Sequence, residues 1–282
     1  TYNRAKTITR LYNSLVAQTF KDFEWLIVDD GSSDDTESIV ENFIHENRIP
    51  IRYIRKENGA THTAYNIGLE EAQGDLFIDV DSDDWLEIES LSKISEKFTE
   101  IEKDSGCAGI ISLKSYGDGR IIGQPFTETD KKLSLRALEL SGQGGERTLV
   151  FKTAIARKYP FPVIKGERFM TEGVVYDKFS DYTFLIDNRS ITTCEYQEDG
   201  LSSNPKSLIL KNPGGYSLYY RNRIDKATGI KELLGYIIRY NMLSGMYKGD
   251  DIAPYSGKHR IAVSLLKLIN PLIRYYYLHT LN

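Results

Sequence analysis

Apolar residues recur along the first hundred positions with two alternating periods. In "RAKTITRLYNSLVAQ", Ile8, Leu11, Leu15 and Val16 fall on one face of a helix. "FEWLIVDD" is a short apolar run that ends in acids, the pattern of a buried strand. "DDTESIVENFIHE" opens on acids and then repeats Ile39, Val40, Phe43 and Ile44, which predicts a helix with a favourable negative N-terminus. "IRYIR" reads as a strand, "ATHTAYNIGLEEA" as a helix, and "LFIDV" as a strand again. A helix over roughly 87–103 follows, then the strand "CAGIISLKSYG". Helix and strand alternating through short loops predict an α/β domain, with a largely parallel sheet and helices on both faces. Such a domain opens on a strand, whereas this sequence opens just before a helix, so a first strand is expected upstream of Thr1.

Residues 118–146 are less regular and glycine-rich at "SGQGGE", "RTLVFKT" reads as a strand, and "YTFLIDNRSITTCEYQ" reads as late strands. From "KNPGGYSLYYRNR" onward the texture changes to helical, tyrosine-rich and basic. The expected organisation is an α/β domain over 1–205 and a helical extension over 206–282. In the extension, "GIKELLGYIIRYNMLSGMY" and "HRIAVSLLKLINPLIRYYYL" carry too many charges to span a bilayer.

Charge sharpens that division. The chain carries a formal −4, yet residues 206–282 hold 12 Lys+Arg against 4 Asp+Glu, leaving −12 on the rest. A basic extension on an acidic body suits contact with an anionic membrane surface, an oligomer interface, or docking on the body itself. The acidic body is wrong for a nucleic-acid groove, and no nucleic-acid partner is expected. Two distant cysteines, Cys107 and Cys194, give neither a disulfide framework nor a zinc site and suit a reducing cytoplasm. No secretory signal is visible.

The candidate chemistry sits where apolar runs end in acids. "WLIVDD" ends at Asp29 and Asp30. "LFIDVDSDDW" carries Asp79, Asp81, Asp83 and Asp84. In an open parallel sheet, ligands bind beyond the carboxyl ends of the strands. Two acidic strand ends on one edge repel each other, and a shared cation reverses that sign. Hard divalent cations take oxygen ligands and are often held by one or two carboxylates, with ligand phosphates completing the shell. The pattern therefore points to a metal-bridged diphosphate site, against the plainer reading that each acid group caps the next helix. P-loop, dinucleotide-fingerprint, GxSxG and HExxH patterns are absent.

These segments, "TYNRAKTITRLYNSLVAQTFKDFEWLIVDDGSSDDT" followed by "ENGATHTAYNIGLEEAQGDLFIDVDSDDWL", resemble the inverting glycosyltransferases of family two, with the GT-A fold. The likeness is dense over about the first 115 residues and resumes at "GERFMTEGVVYDKF" and "EYQEDGLS". It implies transfer of a sugar from a UDP-sugar to a hydroxyl of a glycan or lipid-linked acceptor, with Mn²⁺ or Mg²⁺ as cofactor. Thr1, Tyr2, Asp30 and Asn58 are then expected on the nucleotide, Asp81 on the ribose or metal, and Asp83 as the metal ligand. The family often has lysine in the loop that reads "NGATH" here. Thr61 stands in that loop, and His62 is either a partial substitute or an ordinary helix-surface histidine.

A one-step displacement also needs a base for the acceptor hydroxyl. No strict "ED" pair is present. Glu172 in "TEG" fits the base position best, Glu167 is the alternate, and Asp177 is expected on a helix surface. Asp199 and Gly200 read as a turn, with Glu198 or Asp199 near the acceptor side. Trp85 either stacks on a sugar or packs in the core. Asp84 is expected to support the turn into the next helix, and Asp79, inside a strand, needs a partner.

Overall fold

The computed structural model describes residues 1–195 and 205–269. These fall into two compact units, one within Thr1–Pro160 and Lys178–Glu198, the other within Phe161–Asp177 and Asp199–Asn282. The break expected at residue 205 is thus displaced. Residues 161–177, which hold both Glu167 and Glu172, group with the C-terminal helices.

In the first unit, β1 (Trp25–Asp29) and β2 (Ile51–Arg55) pair in parallel, from Trp25 opposite Ile51 to Asp29 opposite Arg55. A second sheet runs β3 (Leu76–Ile78), β7 (Arg147–Lys152), β5 (Cys107–Tyr116), β8 (Thr183–Cys194), β4 (Trp85–Leu86), with β6 (Lys132–Leu133) also on β8. Its pairing is mixed. β5 and β8 run parallel, while β7 is antiparallel to both its neighbours, and β4 and β6 are antiparallel to β8. Gly109 lets β5 approach β7: a Cβ there would lie 1.9 Å from the Val150 carbonyl oxygen.

The helices α1 (Ile8–Val16) and α2 (Thr36–Glu46) bury most of the stripes expected of them, and α3 (Thr61–Glu71) and α4 (Ser90–Ile101) follow in the chain. Ile8, Leu11 and Leu15 of α1, Val40 and Phe43 of α2, and Ile94 and Ile101 of α4 close over Ile27, Ile110, Val150, Leu185 and Ile191. Each such side chain contributes roughly 1.5–3 kcal/mol by leaving water. Ile44, expected in the α2 stripe, lies at its rim and is 40% exposed. Fully buried Gln18 ties α1 to α4. Its amide donates to the Ser14 and Glu87 carbonyls at 2.9 and 2.8 Å and accepts from the Leu91 N–H at 3.0 Å. The irregular stretch 118–146 forms β6 and the short helix α5 (Leu135–Leu140), and α6 (Thr153–Ala156) follows β7.

The second unit is helical: α7 (Gly173–Tyr176), α8 (Pro205–Lys211), α9 (Pro213–Ile224), α10 (Ile230–Ser244) and α11 (Arg260–Leu266), the last running into a short 3-10 turn, Lys267–Ile269. Ile224, Ile237, Tyr240 and Val263 form its core, flanked by Tyr220, Tyr236 and Tyr255. Asp177, expected at a surface, accepts from Arg223 Nε and Nη2 at 2.9 and 3.0 Å, and both side chains are 11% exposed. That pair and the Glu167 bonds described below explain why 161–177 belongs with these helices. Among the described residues, no helix is long and apolar enough to cross a membrane.

Candidate functional site

The segments "TYNRA" and "DGSSDDT" are woven together. Thr1 donates its amino nitrogen to the Val28 carbonyl at 2.7 Å, and Asp30 N–H donates to the Thr1 carbonyl at 2.9 Å, the bonds of a parallel ladder alongside β1. Asn3 takes a left-handed conformation (φ 51°), which its short polar side chain tolerates. Its N–H donates to Ser32 Oγ at 2.9 Å, and its side-chain oxygen accepts from Ser33 N–H at 2.8 Å. Arg4 N–H reaches Thr36 Oγ1 at 3.0 Å, and Ala5 N–H reaches Asp34 at 3.1 Å. Thr1 is half-buried and Tyr2 is 46% exposed at this edge.

Asp29 and Asp30 build the adjoining loops. Asp29, fully buried, accepts from Ser32 N–H and Oγ at 2.9 and 2.6 Å and from Tyr53 OH at 2.6 Å. Burial, with the Asp29 carboxylate adding to it, pushes the Tyr53 hydroxyl pKa well up. Asp30, 4% exposed, accepts Lys56 Nζ and Gly59 N–H on one oxygen at 2.5 and 2.8 Å, and Ala60 N–H on the other at 2.8 Å. A carboxylate offers about four lone-pair directions, so the second oxygen retains room for one more donor. Asn58 donates its amide to the Asp30 carbonyl at 2.9 Å and so fixes the loop around that acid.

Lys56 is the cation that sequence reasoning missed. "NGATH" holds no lysine, whereas Lys56 stands just before that loop, in "RKENG", and folds back onto Asp30. His62 does not lie on the helix surface. It is 5% exposed in the first turn of α3, and burial lowers its pKa, with Lys56 lowering it further and Asp30 opposing. The imidazole is accordingly neutral at neutral pH.

The four acids of "DVDSDD" have four environments. β3 ends at Ile78, so Asp79 lies beyond the strand and is exposed, not inside it. Asp81 is exposed, and its carbonyl accepts the Asp84 N–H at 2.9 Å to close the turn. The Asp83 side chain is 20% exposed and faces Arg4 Nη2 at 3.6 Å, while its carbonyl accepts from Arg10 Nη2 at 2.5 Å. Asp84 is buried and does more than support a turn. Its carboxylate takes Lys114 Nζ at 3.3 Å and the Cys194 thiol at 3.0 Å, joining the loop to β5 and β8. Burial raises the Asp84 pKa, and burial followed by the bond to Asp84 pushes the Cys194 thiol up to about 12. Trp85 is half-buried in β4 and carries the Arg10 guanidinium 3.9 Å from its ring centroid, so it neither packs wholly in the core nor lies bare.

The two acidic strand ends share one neighbourhood. Arg4 links them: its N–H donates to Thr36 Oγ1 at 3.0 Å, and its guanidinium faces the Asp83 carboxylate at 3.6 Å. Among the described residues, no three His, Cys, Asp or Glu side chains converge into a complete metal cage. Asp79 and Asp81 are exposed and Asp83 is part-exposed, and carboxylates that reach solvent match what a hard cation needs when phosphate oxygens supply its other ligands. The donor set therefore fits Mn²⁺ or Mg²⁺ held together with a diphosphate.

The two base candidates differ sharply. Both Glu167 oxygens accept from the start of α9, Gly214 N–H at 2.5 Å and Gly215 N–H at 2.7 Å, so Glu167 is a helix cap. Burial raises its pKa against those two bonds. Glu172 is exposed at the N-cap position of α7. Glu198, Asp199 and Gly200 lie outside the described residues.

A family model described as "Glycosyl transferase family 2" matches residues 1–161. Over 139 residues the chain is 33% identical to poly(ribitol-phosphate) beta-N-acetylglucosaminyltransferase TarS of Staphylococcus aureus, covering 48% of this chain and 23% of that protein. Over 296 residues it is 24% identical to hyaluronan synthase of Pasteurella multocida, covering 85% of this chain and 30% of that protein. The chain thus spans less than a third of the length of either relative. Among solved structures, S. aureus TarS 1-349 in complex with UDP-GlcNAc superposes with a TM-score of 0.61 at 19% identity, covering 98% of this chain and 85% of that one. Mannosyltransferase PcManGT from Pyrobaculum calidifontis, in complex with GDP-Man and Mn2+, gives 0.54 at 14% identity, covering 99% and 83%. At these identities the likeness is one of fold, the GT-A arrangement expected from the sequence. With the family model spanning more than half of its length, the chain belongs to glycosyl transferase family 2.

Proposed function

We propose that the chain is a metal-dependent, inverting glycosyltransferase that moves a sugar from a UDP-sugar to a hydroxyl of a glycan or lipid-linked acceptor. The observation that carries this reading is the pair of acidic strand ends joined through Arg4, with Asp30 in a built loop and Asp81 and Asp83 reaching solvent. The TarS likeness supports UDP-GlcNAc as the first donor to test.

Thr1 and Tyr2 line the base, and Asp30 offers its remaining lone pair to a base N–H, with Asn58 and Lys56 holding its loop. Buried His62 supports that loop as a neutral side chain. Asp83 would hold a divalent ion, with Asp81 on the ribose or the metal, and the ion would supply Lewis-acid stabilisation of the departing charge. Glu172 takes the acceptor proton as the hydroxyl oxygen bonds to the anomeric carbon and the sugar–phosphate bond breaks, releasing UDP. Ile261, Leu265 and Leu268 are exposed beside Arg260 and Lys267. Their exposure supports contact with the inner face of a membrane, where a lipid-linked acceptor resides, or with a second copy of the chain.

A screen of sugar nucleotides for Mn²⁺-dependent hydrolysis tests the reading, with UDP titrated with and without metal. UDP binding that is absent and indifferent to metal refutes it, as does transfer that survives Asp83→Ala. A second reading, a non-catalytic nucleotide-sugar-binding protein on the same fold, is favoured by the commitment of Glu167 to capping α9. It predicts UDP binding with no turnover and no effect of Glu172→Gln on any rate.

A further inference from the structure

Asp83 is held by two arginines in two different ways. Arg10 donates to its backbone carbonyl at 2.5 Å, a bond that leaves the carboxylate untouched. Arg4 faces the carboxylate itself, Nη2 to Oδ2, at 3.6 Å. That distance is beyond a good hydrogen bond and within an ion pair, so the contact is one of charge and readily exchanged. The backbone of Arg4 is not free to drift. It follows left-handed Asn3, and its N–H is fixed to Thr36 Oγ1 at 3.0 Å. The guanidinium is therefore presented at the acidic loop by the same weave that shapes the nucleotide side, with the Arg4 side chain 27% exposed.

We propose that Arg4 is the resident counter-charge of Asp83 and couples metal binding to nucleotide binding. The inference rests on the reading of Asp83 as a metal ligand. In the nucleotide-free protein, Arg4 neutralises the carboxylate that would receive the ion and repels a second positive charge there. When a nucleoside diphosphate is present, the same guanidinium has a new anionic partner, since its planar fork matches phosphate oxygens. Arg4 then releases Asp83 to the metal. A divalent ion alone is disfavoured, and an ion arriving with the diphosphate is favoured.

The test uses the full chain, Arg4→Gln and Arg4→Lys, with bound Mn²⁺ read by electron paramagnetic resonance and UDP affinity read by calorimetry with and without Mn²⁺. Arg4→Gln is expected to tighten Mn²⁺ binding to the nucleotide-free protein about three- to fivefold, the worth of a part-exposed ion pair. It is expected to weaken UDP binding in Mn²⁺ and to shrink the mutual enhancement of the two ligands. Arg4→Lys keeps the charge but not the planar fork, and is expected to hold Mn²⁺ binding to the nucleotide-free protein near the native value while weakening UDP binding less than Arg4→Gln does. If the native protein binds both ligands and Arg4→Gln changes neither affinity, the coupling role of Arg4 is overturned while the metal-site reading stands. If the native protein binds neither Mn²⁺ nor UDP, both are overturned.

Discussion

The Arg10 guanidinium lies over the Trp85 ring, 3.9 Å from its centroid, and from there donates to the Asp83 carbonyl and to the Glu195 carboxylate. Three features of the acidic loop and the end of β8 thus depend on one side chain from α1. Replacing it with methionine keeps the stem on the ring but removes the charge and the donors. Arg10→Met is expected to lower stability by about 1–2 kcal/mol, from a partly exposed cation–π contact and a charged hydrogen bond. It should also lower the turnover of any donor by loosening Asp83. Urea unfolding and initial rates, measured side by side, check the two effects.

Asp84 and Lys114 form a second, more buried relationship, with side chains 8% and 17% exposed. Lys114→Met leaves the Asp84 carboxylate without its cation, and breaking a buried pair from one side costs about 3–5 kcal/mol. Asp84→Asn removes the charge instead. Burial raises the Asp84 pKa above its unfolded value, so the folded state favours the protonated acid and loses that advantage as pH rises. Asn at this position leaves buried Lys114 without its anion, so it too breaks the pair from one side and is expected to lower stability at neutral pH. The double variant should recover part of the lysine loss, giving a nonzero coupling in a double-mutant cycle. Additive losses would show that the two side chains act separately.

The periodicity of α1 and α2 was legible in the sequence because each buries a stripe against the same core. The strand "LFIDV" was read too long, since Val80 continues the apolar run but, like Asp79, lies beyond β3. At the site, the position of the acids was legible and their duties were not. Asp29, Asp30 and Asp84 are held by Tyr53, Lys56 and Lys114, partners 24 to 30 residues away in the chain. The same letter D therefore marks a loop builder, a buried ion-pair partner and a solvent-facing carboxylate, and only the fold separates them. The misplacement of residues 161–177 has the same origin, because Glu167 and Asp177 find their partners at Gly214, Gly215 and Arg223.

Glu167 and Glu172 separate by experiment along that line. Glu167→Ala removes a cap from α9 and is expected to cost about 1 kcal/mol, range 0.5–2, with catalytic constants little changed. Glu172 is exposed, and Glu172→Gln is expected to leave stability within about 0.5 kcal/mol while lowering kcat roughly 10²–10⁴-fold. A kcat loss in Glu167→Ala that matches the Glu172→Gln loss would reverse the assignment.

His62 gives the pH prediction. Its pKa is lowered from 6.5, first by burial and then by Lys56, with Asp30 opposing. Folding therefore prefers the neutral imidazole. The stability that depends on it is present above pH 6.5 and is lost as the pH falls below that value towards the depressed folded pKa. Nucleotide affinity should fall over the same interval, because α3 begins directly after the loop that Asp30 organises. His62→Gln has no charge to gain and is expected to flatten the stability profile between pH 7 and pH 5, leaving the carboxylate transitions at lower pH unchanged. The measurement is urea unfolding of native and variant protein across that range. A native profile as flat as that of the variant would mean that the imidazole gains its proton without cost, and that the burial at the start of α3 is relieved in solution.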